Sequence, residues 1–385
     1  MRVLHFYQTY KTESFGGVEQ VIGSLCSGSS AYGITSSVLT LSKQTDDLVY
    51  DNHQVHRVKI HLSLASTRFS LSAFRRFSNL AQSADIIHYH FPWPFMDLVH
   101  FYARPKCPTV VTYHSDILRQ KYLYLLYQPL MWRFLSNVNH IVATSPNYLE
   151  SSPVLQHFKE KTSVIPLGLD KQSYLTPSQK KQAYWHKRLG TKFFLFVGVL
   201  RYYKGLHTLL EAAKGTTFPI IIVGDGPMKA ELQRKKTELN LEKVQFLGAL
   251  GEEDKIILLQ LCHAVVFPSH LRTEAFGLSL LEGAMFGKPM ISSDIGTGTS
   301  YINQHMQTGL VIPPEQPQAL RQAMQHLWTN EEQAQSFGKA AYQRYEQQFT
   351  AKQMVGSYAA LYHRLLNTAQ KNKDQVQQNE QTVIS

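Results

Sequence analysis

Residues 264–282 read AVVFPSHLRTEAFGLSLLE, and the order of residue types in this stretch decides the fold class. An apolar run that ends at Phe267 has the length and composition of a buried strand, and a polar loop follows it. Apolar residues return at helical spacing from about Gly277. A strand, a loop and a helix in this order form the unit of an α/β fold, in which right-handed crossovers join parallel strands.

The same unit recurs along the chain in two series. The first begins with the apolar residues 3–7, and the second begins at residues 193–198, after a stretch rich in Lys and Gln at residues 170–190. Further buried strands are predicted at residues 37–41, 86–89, 109–113 and 140–143, and then at 219–223, 244–247, 264–267, 289–292 and 309–312. Two open parallel sheets in tandem would place the carboxyl ends of their strands across a shared crevice, where ligands bind in such folds.

We therefore predict two Rossmann-like, doubly wound parallel-sheet domains that face a central crevice, at residues 1–168 and 169–350. The length of 385 residues agrees with this number, since one domain takes about 150 residues. Residues 351–367 are predicted to form an amphipathic helix that could pack back on the first domain. We expect the Gln-, Asn- and Lys-rich residues 368–385 to form a disordered tail.

The charge balance points to an anionic partner. The 39 Lys and Arg residues exceed the 28 Asp and Glu residues, which gives a formal net charge of +11. Nucleic acid, an anionic membrane face or a phosphorylated substrate would each fit this charge. The sequence has no helix-turn-helix, zinc finger or basic arm, so we expect no nucleic-acid partner.

Cysteine usage and hydropathy indicate a cytoplasmic protein. The three cysteines are too few and too widely spaced for a disulfide framework or a zinc site. The apolar runs are shorter than the ~18 residues that span a membrane, and no signal peptide is recognisable. His88 and His90 share one face of a predicted strand, but no carboxylate or cysteine cluster accompanies them, and we expect no metal and no other cofactor.

The loop after Phe267 has the features of an anion-binding or sugar-binding site. The amides of Phe276, Gly277 and Leu278 would be unpaired donors at the positive end of a helix. Glu274 and Glu282 flank these amides and would suit hydroxyl groups of a sugar or ribose better than a phosphate. The alternative is that Glu274 caps the helix and Glu282 is a solvated surface residue.

The residues around this glutamate pair resemble the signature of retaining glycosyltransferases of family 4, which have the GT-B fold. Other segments agree with the resemblance, namely residues 16–17, 113–116, 197–198, 204–205, 223–227, 287–289 and 309–311. The resemblance covers roughly residues 1–365. It implies that the first domain lies on the acceptor side and that the second binds the nucleotide sugar. It also implies that Glu274 contacts the donor sugar and Glu282 the nucleotide ribose, without a metal.

Arg201 and Lys204 follow the first strand of the second domain. Fixed cations there could stabilise the charge that grows on a diphosphate leaving group. The family usually carries an arginine directly after the glycine, and this sequence has Val199 at that position. Lys204 is therefore the stronger candidate, and Arg201 could substitute from two residues further on. A solvated basic loop is the alternative.

In the first domain, the resemblance implies that Gly16 and Gly17 lie near the donor phosphates and that His114 lies near the donor sugar and the acceptor. Glycines allow a ligand to approach the backbone closely, although a sharp turn is an equal explanation. Asp116 is a weaker candidate, because it could be the N-cap of the next helix.

Residues 68–77 and 119–135 are rich in aromatic and basic side chains and are predicted to be amphipathic helices. A core-facing apolar stripe is the ordinary interpretation, and docking to an anionic membrane that presents a lipid-linked acceptor is the alternative.

We expect a retaining hexosyltransferase that acts on a saccharide or lipid-linked acceptor in lipopolysaccharide or surface-polysaccharide synthesis. Residues 295–301 resemble a loop of O-antigen enzymes, which favours a GDP-mannose type of donor over a UDP-hexose. A non-hydrolysing sugar-nucleotide epimerase has the same two-domain architecture, and a basic nucleic-acid-binding protein would explain the charge, so both stay open as alternatives.

Overall fold

The computed structural model describes residues 1–14, 16–64, 67–117 and 121–384. Up to residue 168 the elements are β1 (Arg2–Phe6), α1 (Gly17–Ser29), β2 (Thr35–Ser42), β3 (Asp46–Tyr50), β4 (His53–Lys59), β5 (Leu62–Leu64), β6 (Thr67–Phe69), α2 (Leu71–Ser83), β7 (Ile86–Phe91), α3 (Pro94–Ala103), β8 (Thr109–Tyr113), α4 (Lys121–Asn137), β9 (His140–Ala143), α5 (Pro146–Ser151), α6 (Pro153–His157) and β10 (Thr162–Val164). Then follow α7 (Gln179–Leu189), β11 (Phe194–Val197), α8 (Leu206–Ala213), β12 (Ile220–Val223), α9 (Lys229–Glu238), β13 (Val244–Gly248), α10 (Glu252–Leu261), β14 (Ala264–Phe267), α11 (Leu278–Met285), β15 (Met290–Ser293), α12 (Gly298–Ile302), β16 (Gly309–Ile312), α13 (Pro317–Thr329), α14 (Glu331–Gln348) and α15 (Ala351–Ile384).

The chain divides into two compact units. Unit 1 consists of Met1–Thr144, Ser152–Gly168 and Ala351–Ser385, and unit 2 consists of Ser145–Ser151 and Leu169–Thr350. The division after Gly168 and the division after Thr350 coincide with the predicted domain limits. The assignment of Ser145–Ser151 to unit 2 was not predicted, because nothing in its composition separates it from its neighbours.

Unit 1 contains an eight-stranded sheet in the order β10-β9-β8-β7-β1-β2-β4-β3. Its strands are parallel except for β3, which pairs with β4 in the antiparallel direction. The central strands β1 and β7 are buried along most of their length, as their continuous apolar and histidine-containing sequences require. The last helix, α15, belongs to this unit, where the Tyr358 hydroxyl is 2.6 Å from the Thr112 hydroxyl of β8.

Unit 2 contains a six-stranded parallel sheet in the order β13-β12-β11-β14-β15-β16. Numbered within the unit, this is the order 3-2-1-4-5-6 of dinucleotide-binding folds. Successive strands are added to one side of β11 up to β13 and to its other side from β14 onwards, so the strand order reverses between the neighbours β11 and β14. Ligands of such sheets bind outside the carboxyl ends of the strands at this switch point. The loops that follow Val197 and Phe267 begin there.

The structure corrects the prediction of a disordered tail. Helix α15 runs from Ala351 to Ile384, whereas the prediction from the sequence ends this helix at residue 367. No Gly or Pro follows Gly356, and Gln, Lys, Glu and Ala are good helix formers, so nothing in residues 368–384 stops the helix. The prediction of a helix at residues 68–77 is also partly wrong, because β6 ends at Phe69 and α2 begins at Leu71.

Candidate functional site

The predicted loop between β14 and α11 is shaped by the backbone at Gly277 and by contacts with the residues around the start of α12. Gly277, the N-cap residue of α11, has a φ of 97°, which side chains with a Cβ rarely adopt. A Cβ on Gly298, the first residue of α12, would lie 2.6 Å from the Phe276 ring, so the start of α12 packs directly on the loop. Thr297 donates a hydrogen bond of 2.7 Å to the carbonyl of Glu274. These contacts with the residues around the start of α12 hold the loop in place.

The backbone amides of Phe276, Gly277 and Leu278 make no hydrogen bond with another described residue. Four such donors are normally left free at a helix start, and they carry the positive end of the helix dipole. The geometry therefore offers oriented N–H groups to an anionic or hydroxyl-rich ligand at the switch point of the sheet.

Lys204 and Glu274 form an ion pair between the loops that follow β11 and β14. Only 11% of the Lys204 side chain and 12% of the Glu274 side chain are exposed. The Lys204 ammonium lies 4.7 Å from the centre of the Phe267 ring, and Ser269 donates a 3.3 Å hydrogen bond to the Glu274 carboxylate. The sequence predicts separate roles for these two residues, and their pairing is seen only in the structure.

The close approach of the two loops requires a glycine. Gly205 has a φ of 69°, and a Cβ there would lie 1.8 Å from the carbonyl oxygen of Pro268. His270 donates its amide to the carbonyl of Tyr203 at 2.9 Å, which adds a second link between the loops. The sequence around Lys204 is thus built to bring the lysine beside Glu274.

Arg201 is exposed, and its side chain makes no hydrogen bond or ion pair with another described residue. Leu200 beside it is fully buried, and Val199, at the position of the family arginine, is half exposed. The Arg201 side chain is therefore free to reach a ligand. Unlike the Lys204 side chain, it is not held in one position by an ion pair with a described residue.

The turn at Gly224 and Gly226 packs against the same loop. A Cβ on Gly224 would lie 1.9 Å from the carbonyl oxygen of Gly198, and one on Gly226 would lie 2.7 Å from the amide of Leu200. Asp225, between the two glycines, pairs with Lys229 at 2.7 Å. The turn supports the backbone at residues 198–200 rather than supplying a side chain to the site.

Glu282 lies inside unit 2 rather than on its surface, so the alternative of a solvated residue is wrong. Its Oε1 accepts hydrogen bonds from the Tyr174 hydroxyl at 2.8 Å and from the Lys255 ammonium at 2.7 Å. Glu274 is not a helix cap either, since Gly277 occupies that position. Tyr174 and Lys255 could not be predicted from the sequence, because neither shares a spacing or a motif with Glu282.

In unit 1, the space beside Gly16 is occupied by a side chain of the protein itself. A Cβ on Gly16 would lie 2.5 Å from the Glu19 carboxylate, which accepts a 2.7 Å hydrogen bond from Ser14. Gly17 is the first residue of α1. The pair of glycines therefore accommodates a buried carboxylate at the start of a helix.

His114 directly follows β8, and its Nε2 is 3.0 Å from Nδ1 of His90 on β7. Burial lowers the pKa of His114 to about 3, so the ring is neutral at ordinary pH. Asp116 accepts hydrogen bonds from Tyr113 at 2.9 Å and from Ser152 at 3.0 Å. The alternative of an N-cap role for Asp116 stays a prediction, because residues 118–120, between Asp116 and α4, lie outside the described residues.

Three buried histidines, His5, His88 and His90, place ring nitrogens within 4.8 Å of one another. Such a group could ligate a metal, but most of its ring nitrogens already have hydrogen-bond partners. His88 is bonded at 2.7 Å to both Thr112 and Tyr362, and the nitrogens of His90 face other histidines. Because of these bonds, metal binding would require the network to rearrange.

Comparison with known proteins identifies the family. Residues 15–173 match the model described as Glycosyltransferase Family 4, and residues 178–344 match the model described as Glycosyl transferases group 1. The D-rhamnosyltransferase WbpZ of Pseudomonas aeruginosa is 58% identical over 353 residues, which cover 91% of this chain and 93% of that protein. The chain belongs to glycosyltransferase family 4. The O-antigen chain mannosyltransferase C of Escherichia coli is 51% identical over 370 residues, covering 96% of this chain and 100% of that protein.

Solved structures agree with the predicted GT-B fold of this glycosyltransferase. Sucrose-phosphate synthase of Thermosynechococcus elongatus superimposes with a TM-score of 0.77 at 21% identity, covering 95% of this chain and 99% of that one. HepE of Anabaena, in complex with UDP and glucose, gives a TM-score of 0.76 at 19% identity, with coverages of 94% and 100%. The prediction of two Rossmann-like α/β domains is therefore confirmed.

The glycosyltransferase carries its predicted donor-side residues together in unit 2. These residues are Arg201, Lys204, Glu274, Phe276, Gly277, Leu278 and Glu282. Gly16, Gly17 and His114 lie in unit 1. Their roles toward a substrate remain predictions.

Proposed function

We propose that this glycosyltransferase moves a hexose of the manno configuration from a nucleotide diphosphate to a saccharide acceptor, with retention of configuration, in surface-polysaccharide synthesis. One observation carries the proposal: Lys204, Glu274 and three free amides meet at the switch point of the unit 2 sheet. A fixed cation, a carboxylate and oriented N–H groups together suit a sugar diphosphate, which has both anionic oxygens and hydroxyl groups.

The names of two relatives that match nearly the full length of the chain narrow the choice of the sugar that is transferred. One is a D-rhamnosyltransferase and the other an O-antigen chain mannosyltransferase. D-Rhamnose is 6-deoxy-D-mannose, so the two sugars share the configuration at every ring carbon and differ only in the hydroxyl at C6. We propose that this enzyme also requires the axial hydroxyl of the manno configuration, and that its donor is a GDP sugar.

We propose that Lys204 and Arg201 stabilise the diphosphate as the glycosidic bond breaks, and that the amides of Phe276, Gly277 and Leu278 bind its oxygens. Glu274 would accept a hydrogen bond from a sugar hydroxyl, and Glu282 would do so from the ribose. The acceptor oxygen would attack from the face that the phosphate leaves, and the leaving phosphate would help to remove its proton. Developing charge is stabilised best by groups already in position, as the buried Lys204 is.

The donor proposal predicts a ranking in a thermal-shift experiment. GDP-mannose and GDP-D-rhamnose should raise the melting temperature more than UDP-glucose or GDP-glucose at equal concentration, because ligands stabilise the state that they bind. Glu282→Gln should reduce the shift given by GDP alone. A larger shift with UDP-glucose than with GDP-mannose would contradict the assignment.

We propose that the reaction needs no metal, because Lys204 and the helix amides supply the positive potential that a divalent ion would supply elsewhere. Transfer activity should be unchanged after dialysis against EDTA. Activity that is lost on dialysis and restored only by a divalent cation would overturn this proposal.

We further propose that unit 1 contacts an anionic membrane on its cytoplasmic side, where a lipid-linked acceptor would be presented. Leu123, Leu125 and Leu126 lie exposed on α4, and Leu126 is 80% exposed. No helix in the described part of the chain is both long and apolar enough to cross a membrane. Arg119 lies outside the described residues, so the proposal rests on these leucines. Exposed apolar side chains on a basic protein fit peripheral binding.

The membrane contact can be tested by flotation with vesicles at low salt. The protein should float with anionic vesicles and much less with neutral ones. Leu123, Leu125 and Leu126 all changed to Gln should reduce flotation about tenfold, whereas the control Val49→Gln, at another exposed apolar residue of unit 1, should not. Equal recovery with neutral and anionic vesicles would contradict the proposal.

A further inference from the structure

Three imidazole rings form a hydrogen-bonded line through the centre of the unit 1 sheet and end at His114. Nδ1 of His5 is 3.2 Å from Nε2 of His90, and Nδ1 of His90 is 3.0 Å from Nε2 of His114. His5 lies on β1 and His90 on β7, which are adjacent and parallel strands. The amide of His114 donates to the carbonyl of Phe91 at 2.9 Å, which fixes the backbone at the end of the line. We call His5, His90 and His114 the histidine line.

The geometry of the histidine line couples the tautomers of its rings. A neutral imidazole has one N–H and one bare nitrogen, and each bond between two rings needs one of each. If His5 donates a hydrogen bond from Nδ1, then His90 must accept it at Nε2. His90 must then donate from its own Nδ1, and His114 must accept at Nε2. All three rings then carry their proton on Nδ1. The only other continuous arrangement has all three protons on Nε2.

The first arrangement is favoured by the inner end of the line. His5 is 1% exposed, whereas His114 is partly exposed, so a terminal N–H finds an acceptor more readily at the His114 end of the line than at the His5 end. A buried N–H without an acceptor is costlier and rarer than a bare acceptor nitrogen without a donor. The proton of His5 therefore belongs on Nδ1, in the bond to His90. His114 is then left with an N–H at Nδ1, an atom that makes no hydrogen bond within the described part of the chain.

The surroundings keep the rings neutral. Burial lowers the pKa of His5 and of His114 to about 3 and holds that of His90 well below the ordinary histidine value. His88 packs beside the line, but its nitrogens bond to Thr112 and Tyr362 and do not break the sequence of bonds. Because all three rings of the histidine line are neutral, the tautomer of one ring determines the tautomer of the next without placing a net charge in the sheet.

We propose that His5 and His90 are positioning residues that fix His114 as the Nδ1–H tautomer, so that His114 presents a hydrogen-bond donor to an oxygen of the sugar substrate. That His114 meets the substrate rests on the proposed function and on the role that the family resemblance implies for this residue, whereas the coupling of the tautomers rests on neither. The Nδ1–H group of His114 would donate a hydrogen bond to an oxygen atom of the donor sugar or of the acceptor saccharide.

The tautomers can be read directly from the intact protein. Side-chain ¹⁵N NMR of histidine-labelled enzyme distinguishes Nδ1–H from Nε2–H rings, and single histidine substitutions assign the signals. We expect His5, His90 and His114 all to be Nδ1–H at neutral pH. Different tautomers among the three, or three Nε2–H rings, would overturn the proposal. The main sample in this experiment is the wild-type protein, and the substituted proteins serve only to assign the signals.

Two substitutions of His90 separate its two bonds. In His90→Asn the amide stands near the position of Nδ1 and keeps a contact with His114, whereas in His90→Gln it stands near Nε2 and keeps the contact with His5. We expect His90→Gln to change the His114 signals and to lower kcat about tenfold, with His90→Asn affected less. The control is His100→Gln, a buried histidine that bonds to Tyr89 and Asn137 outside the line.

The outcomes distinguish this inference from the proposed function. If His90→Gln leaves both the His114 tautomer and kcat as in wild type, the positioning role is wrong. If His100→Gln lowers kcat as much as His90→Gln at a similar melting temperature, the effect is one of stability and the positioning role is also wrong. If wild type transfers no manno-configured sugar at all, the proposed function fails, and the NMR result still decides the tautomers.

Discussion

Glu274→Gln should lower kcat by about 100-fold or more while the affinity for the free nucleotide stays within a few-fold of wild type. The carboxylate is held by Lys204 and Ser269 in the loop that leads to the helix amides, so in the proposed complex we expect it to meet the sugar rather than the base. Gln has the same shape but has lost the charge that orients a sugar hydroxyl and balances Lys204. Steady-state kinetics together with nucleotide titration will measure both quantities.

Stability must be followed in the same experiment. Glu274→Gln removes the ionic partner of a largely buried lysine and should cost about 1–3 kcal/mol of unfolding free energy. Glu231→Gln is the matched control, since Glu231 pairs with His207 at a more exposed position of unit 2 and should keep full activity. Normal turnover of a folded Glu274→Gln enzyme would remove Glu274 from the active site.

Lys204→Met should also lower kcat by about 100-fold or more, with little change in the KM of the acceptor. The lysine is buried over the Phe267 ring and enters the site between loops that touch at Gly205, so its charge is in place before the donor binds. Because negative charge grows on the diphosphate in the transition state, the loss should fall mainly on the transfer step.

Two further variants define the role of this lysine. Lys229→Met, which removes an exposed lysine paired with Asp225, should have nearly wild-type kinetics. The double variant Lys204→Met and Glu274→Gln should be more stable than the sum of the single effects predicts, because neither charge is left alone. An increase in acceptor KM without a change in kcat would assign Lys204 to acceptor binding instead.

Much of the fold could be predicted because most strands of the two parallel sheets are buried. In a parallel sheet both faces are covered, so strands such as Phe194–Val197 and Ala264–Phe267 are continuous apolar runs that stand out in the sequence. Strand Asp46–Tyr50 was missed for the opposite reason. It lies at the sheet edge with alternating exposed and partly exposed residues, and its sequence DDLVY has no such run.

The candidate site was predictable only where loop position and family motif coincide. Glu274 and Lys204 each follow a strand that could be recognised, but their pairing depends on β11 and β14 being neighbours, which the chain order alone does not give. Lys255 and Tyr174 approach Glu282 from a helix and a connecting segment distant in sequence. The histidine line likewise depends on the register of β1 against β7.

The two buried ion pairs of unit 2 leave the excess of positive charge unchanged. Lys204 is balanced by Glu274 in the free protein, and the net charge of +11 already counts both residues. Lys255 is likewise balanced by Glu282. Binding of a diphosphate would supply anionic charge near Arg201 and Lys204, and the rest of the basic surface is available for an anionic membrane.

The most direct test of the proposed activity is the transfer of labelled mannose from GDP-α-D-mannose to a lipid-linked saccharide acceptor, with the anomeric configuration of the product determined by NMR. We expect an α-linked product and release of one GDP for each sugar transferred, in the presence of EDTA. A β-linked product, or a nucleotide sugar that is isomerised without any transfer, would contradict the account.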